Sequence, residues 1–159
     1  MAMDVTPFLW FDDNAEEAAI HYTKVFKNAK ILSTNRYGDA GPGDKGKVMT
    51  VSFEVEGQEF IGLNGGPHHK MNLGVSFLIG GATQDEVDRL WGLLSDAGET
   101  HQCGWVTDKF GVTWQVVPEG FMDLIGGDDE EGAARAMKAM MDMVKLDINA
   151  LRRAYNGET

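Results

Sequence analysis

Cysteine is almost missing from this chain: Cys103 stands alone. One thiol cannot form an intrachain disulfide, and no cysteine cluster exists to hold a structural zinc. That usage agrees with a reducing compartment. Basic residues are also scarce, with 14 Lys and Arg against 25 Asp and Glu and a formal net charge of −11. So acidic a surface repels phosphate backbones and argues against a nucleic-acid partner. No apolar run approaches the roughly 18 residues of a membrane span, so no membrane partner is expected. The opening MAMDVTPFLWF has neither the basic start nor the long apolar core of a signal peptide. The expected location is the cytoplasm.

What remains is ordinary for a soluble globular chain: 159 residues, 43% hydrophobic and 25% charged. Pro7–Asp13 is a short apolar run that reads as a strand. Asn14, with Glu17 three residues on, predicts a capped helix, and Ala18, Tyr22, Val25, Phe26 and Ala29 give it one apolar face. Strands are predicted at Lys30–Tyr37, Val48–Glu56 and Gln58–Leu63, with a glycine-rich loop at Gly38–Gly46 and a tight turn at Glu56-Gly57. After the connector Asn64–Asn72 the same order returns. It runs through a strand at Val75–Ile79 broken by Gly80-Gly81, then a helix capped by Thr83 and Glu86 and stopped by Gly98. Three strands follow, around Glu99–Cys103, Trp105–Lys109 and Val112–Val117. The expected class is α+β: two βαβββ units, about 7–66 and 75–118, forming curved mixed sheets around a cavity within a domain spanning 1–120. Residues 121–159 read as a helical tail. In it Met137, Met141, Val144, Ile148, Leu151 and Tyr155 recur at helical spacing, as one long amphipathic helix packed on the domain or on a partner subunit.

Twin βαβββ units resemble the vicinal oxygen chelate superfamily of glyoxalases, extradiol dioxygenases and antibiotic-resistance proteins. TPFLWFDDNAEEAAIHYTKVF, RYGDAGPGDKGKVMTVSFEVEGQEFIGLNGGP, QCGWVTDKFGVTWQVVPEGFMDLI and the tail MKAMMDMVKLDINALRRAY are similar to its PhnB-like branch. That branch carries a 3-demethylubiquinone 3-methyltransferase label. The glycines of GDAGPGDKG, however, lie between strands with no helix after them, unlike a nucleotide-cradling loop. The metal-using superfamily members take ligands from the first and last strand of each unit. The resemblance puts Pro7, Gly62, Val75 or Ser76, and Gln115 at those places. Of these only Gln115 is a plausible ligand, so the expectation is no metal and no cofactor. The adjacent pair His68-His69 lacks an evident third ligand and reads as polar loop.

The same alignment with period-two alternation nominates ligand-binding residues. Leu9 and Phe11 are expected to face the cavity, with Phe8 and Trp10 toward the first helix; Asn64, Ser76, Thr113 and Gln115 are expected on the cavity side. Asn64 and Gln115 are amides that either bond to the protein itself or orient a polar ligand. Trp105 either stacks on a flat ligand or closes the sheet edge. His101 is available as a general base, though without a paired acid in sequence, and Cys103 is either a nucleophile or a small buried hydrophobe. Three functions follow: an enzyme acting without metal on an unknown small substrate, a resistance-type protein that sequesters a small molecule, or a metal-dependent lyase or dioxygenase. A homodimer is expected from the resemblance and from the apolar tail.

Overall fold

The two repeated runs form two four-stranded mixed sheets, as a computed structural model describing residues 2–158 shows. The chain divides into two compact units, Met1–Met71 and Asn72–Thr159, the tail falling in the second. The first holds β1 (Phe8–Phe11), α1 (Ala15–Val25), β2 (Ala29–Arg36), β3 (Val48–Val55) and β4 (Gln58–Asn64), in sheet order β1-β4-β3-β2. β1 runs parallel to β4 and the other pairs are antiparallel. The parallel pairing requires a crossover, which α1 begins. Its Ala15, Ala18, Ala19, Tyr22 and Val25 are buried, and the Tyr22 ring lies 5.6 Å from Phe53, which stacks on Phe60 at 5.5 Å. The β3–β4 hairpin closes through Glu56 and Gly57, both with positive φ (48° and 86°), as a two-residue turn matched to strand twist demands.

The expected cap of α1 comes from a different acceptor. Asn14 occupies the N-cap position without a side-chain capping bond. Asn64, at the end of β4, takes that role: its Oδ1 accepts the Ala15 N–H at 2.9 Å and its Nδ2 donates to the Val48 carbonyl at 3.1 Å.

The second unit holds β5 (Phe77–Ala82), α2 (Gln84–Ser95), β6 (Glu99–Thr100), β7 (Trp105–Thr107) and β8 (Thr113–Pro118), in sheet order β5-β8-β7-β6. Again the outer and last strands, β5 and β8, are parallel. Gly80-Gly81 does not end the strand. The register shifts between Ile79 and Ala82, so the pair forms a bulge inside β5. Thr83 caps α2 as predicted, its Oγ1 accepting the Glu86 N–H at 3.3 Å. β6 is shorter than expected because the chain turns at Cys103 and Gly104, both with positive φ.

The tail is not one long helix. α3 (Phe121–Ile125) is followed by α4 (Glu130–Met141) and α5 (Ile148–Asn156), with a break between the last two. The break has a backbone cause. The Met143 and Val144 carbonyls accept from the N–H groups of Cys103 and Gly104, both at 2.8 Å. The Gln84 side chain donates to the Leu146 carbonyl at 3.0 Å and accepts the Ile148 N–H at 2.8 Å. Asp147 caps α5 by accepting the Asn149 and Ala150 N–H groups at 2.9 Å. Carbonyls and N–H groups spent in this way cannot serve a continuous helix. The helical stripe divides accordingly: Ile148 and Leu151 are buried, while Met137, Met141 and Val144 stay exposed.

Candidate functional site

Alternation and register define two faces of the second sheet. Val106, Trp114 and Val116 are buried on one side, the side of α2. The opposite face carries a row across three strands, because Leu78 pairs with Gln115 and Gln115 with Trp105. A second row joins Thr113, Thr107 and Glu99. Within the first row Gln115 Nε2 donates to Ser76 Oγ at 2.9 Å. Beside it runs a polar chain: His101 Nε2 lies 2.9 Å from Thr107 Oγ1, which lies 2.9 Å from Thr113 Oγ1. The structure therefore brings Ser76, His101, Trp105, Thr113 and Gln115 to one face, five of the sequence-predicted set.

Asp108 was not among the predicted residues, and it holds this face in place. Its buried carboxylate accepts the Phe110 N–H at 2.9 Å and the Val112 N–H at 3.1 Å through Oδ1, and the Trp114 indole N–H at 2.9 Å through Oδ2. It so fixes the β7–β8 turn and the strand carrying Thr113 and Gln115. The available signal was a turn-forming Asp ahead of Phe110-Gly111, with a tryptophan six residues on.

In the first unit the faces are the reverse of those expected. A side chain added at Gly62 would meet Ala15 of α1 and the Phe11 ring, so Gly62 points at the helix. Leu9 pairs with Gly62 and Phe11 with Asn64, which places both on the same side, where they are buried. Leu9 and Phe11 are core against α1, not cavity residues. Phe8, 57% exposed, and Trp10 look the other way, with Ile61 and Leu63 beside them. The reason is that FLWF is apolar at every position, so alternation carries no polarity signal there. Asn64 also lies on the helix side, its amide spent on Ala15 and Val48. Replacing Asn64 by Leu is expected to lower stability by about 1–2 kcal/mol, from a lost cap and an orphaned carbonyl, read as a lower urea midpoint.

The first unit has its own cleft of about 900 Å³, between the start of α1, the 38–47 loop and the 65–68 turn. Its lining mixes Asp12, Asp13, Glu16 and Glu17 with Arg36 and Lys47. Lys47 and Asp44 meet at 2.9 Å. That hydrogen bond, more than the charge attraction, lowers the Asp44 pKa and raises that of Lys47, both side chains being exposed.

The strands that bear ligands in metal-using superfamily members do not offer a donor set here. On the faces away from the helices, β1 shows Phe8 and Trp10, β4 shows Glu59, Ile61 and Leu63, and β5 shows Leu78 and Gly80. The side-chain ligands these faces offer are Glu59 at the outer end of β4 and Thr113 and Gln115 on β8. A divalent ion needs three or four protein ligands, and these residues do not fit one. Among the described residues no three or more His, Cys, Asp and Glu side chains converge as a metal-binding group. His68 lines the first-unit cleft and His69 packs edge-on against Trp10 at 4.7 Å. Cys103 lies in the turn before β7, its Sγ 3.6 Å from the Met140 carbonyl, directed at the tail and not at the polar row.

The family model described as 3-demethylubiquinone-9 3-methyltransferase matches residues 3–117. A Bacillus cereus PhnB protein, provisionally described as a 3-demethylubiquinone-9 3-methyltransferase, is 31% identical. The match covers 72% of this chain and 99% of that one, with a TM-score of 0.64. A Pseudomonas aeruginosa protein of 23% identity covers 74% and 97%, with a TM-score of 0.62. A fosfomycin resistance protein of Listeria monocytogenes is 14% identical over 77% and 94%, with a TM-score of 0.48. A search of curated proteins finds no match.

Proposed function

The chain belongs to the PhnB-like 3-demethylubiquinone-9 3-methyltransferase family, and from that premise we infer that it binds a small molecule on the face of the second sheet away from α2, without a bound metal. The carrying observation is the Leu78–Gln115–Trp105 row with Ser76 and the His101–Thr107–Thr113 chain beside it. An indole and a tethered amide on adjacent strands offer a flat surface and a directional hydrogen-bonding group about 5 Å apart. The ligand-bearing strands are mostly apolar where the superfamily's ions would sit, which supports metal independence.

Sequestration is the reading favoured by so few reactive groups. Catalysis is the second reading, favoured by the imidazole–hydroxyl chain, which can pass a proton from His101 toward Thr113. The methyltransferase description is not carried to this chain. The β1–α1 connection, Asp12-Asp13-Asn14, has no glycine, and the glycine-rich loop leads from β2 into β3 and not into a helix. A cytoplasmic homodimer belongs to the same reading, and the exposed Met137, Met141 and Val144 offer apolar surface for a second copy to cover.

Elemental analysis of the purified protein tests the metal statement. The expected result is no stoichiometric Zn, Fe, Mn or Ni, and one equivalent of any of them would overturn it. Incubation with a metabolite panel separates the two readings, a ligand released unchanged pointing to sequestration and a new product to catalysis. Light scattering at micromolar concentration is expected to give twice the chain mass.

A further inference from the structure

We propose that the second-sheet face selects neutral, planar ligands bearing a carboxamide or lactam edge, and discriminates against anions. This rests on the reading above that the face is the binding site. Its accessible side chains are Leu78, Gln115, Trp105 and Thr107, with Ser76 and His101 alongside, over the buried Thr113 and Val117. None is a lysine or an arginine, and the one carboxylate, Glu99, sits exposed at the margin on the short outer strand. An anion moved from water onto this surface loses hydration and gains no counter-charge, in a chain already at −11. The superfamily's usual device for drawing oxygen anions, a central cation, has no donor set here.

The positive selection comes from Gln115. One of its N–H groups donates to Ser76 Oγ, which fixes the amide plane. In this proposal Ser76 takes the N–H anti to Oε1, and the syn N–H with Oε1 presents a donor and an acceptor side by side, the complement of a carboxamide or lactam edge. Trp105 occupies the paired position on β7, so a planar ring stacked on the indole would carry that edge to Gln115.

The test uses matched probes, nicotinamide with nicotinate and benzamide with benzoate. Binding is followed by the ¹H–¹⁵N signals of the Gln115 side chain and the Trp105 indole. The neutral members are expected to shift both signals, and their charged isosteres neither. Gln115→Glu, which keeps the shape and removes the donors, is expected to weaken the neutral probes roughly tenfold, about the loss of a directed hydrogen bond in a partly dry site. Gln115→Met, which removes both functions, should do the same and covers the case that the carboxylate perturbs folding. Anions bound at these two signals as tightly as their amides would overturn the selectivity and leave the site standing. Neutral binding unchanged in both variants would overturn the role of Gln115. If no probe moves either signal, the placement of the site itself is overturned.

Discussion

Asp108→Ala is expected to cost at least about 3 kcal/mol of folding stability, since each buried donor left without an acceptor costs roughly 1–3 kcal/mol. Three N–H groups converge on this carboxylate, two from its own turn and one from Trp114. Asp108 is only 4% exposed, so water cannot replace it without opening the turn. The turn itself closes by backbone bonds from Asp108 N–H to the Val112 carbonyl and from Gly111 N–H to the Asp108 carbonyl, so the loss spreads into β7 and β8. Trp114→Phe is the graded control. It removes one of the three bonds and keeps most of the buried ring, for about 1–2 kcal/mol. Urea denaturation should show both midpoints lowered at an unchanged slope, with Asp108→Ala the larger. Equal costs would mean that the indole bond, and not the turn, carries the stabilisation. A wild-type midpoint for Asp108→Ala would remove this residue from the account. Because Thr113 and Gln115 flank Trp114, amide exchange along β8 should speed up in Asp108→Ala before global unfolding.

Gly98→Ala should be comparably damaging. A methyl there would sit 2.3 Å from the Thr107 carbonyl oxygen, 3.0 Å from that of Leu94 and 3.1 Å from the Asp108 Cα, all of them backbone atoms. No rotamer change relieves such a clash, so β7 must move away from the end of α2, at roughly 3 kcal/mol by the cost of overpacking a tight site. The damage falls on Thr107, the middle member of the His101–Thr107–Thr113 chain. Thermal denaturation would register it as a drop on the order of 10 °C for a chain of this size. An unshifted melting temperature would show that the strand yields freely. The sequence reads this glycine as a helix stop. The positive φ belongs instead to Ala97, and Gly98 is needed for close approach.

That difference illustrates what sequence carries and what it does not. Period and punctuation were enough for two βαβββ units, because capping at Thr83, turn chemistry at Glu56-Gly57 and the apolar faces of α1 and α2 are written in neighbouring residues. Faces were legible where a strand mixes polar and apolar side chains: in TWQVVP the glutamine marks the side away from α2. They were illegible in FLWF, where burial of Leu9 over Phe8 depends on where α1 lands. The helix cap from Asn64 lies 49 residues from Ala15, and the break between α4 and α5 depends on carbonyls claimed by Cys103 and Gly104. Such contacts exist only once the chain has folded, and periodicity within the tail could not disclose them. The candidate site was legible as a set of residue types on β8 and β7. Its ordering by Ser76 and Asp108 was not, since those partnerships join residues with no local spacing rule between them.

The most direct measurement is the location of bound ligand on the uniformly ¹⁵N-labelled protein, titrated with a fragment library in metal-free buffer. The shifts are predicted to gather on β7 and β8 around Trp105, Thr107, Thr113 and Gln115, and to persist unchanged with chelator present. Shifts gathered instead around the 38–47 loop and the start of α1, or appearing only when a divalent ion is added, would contradict the account.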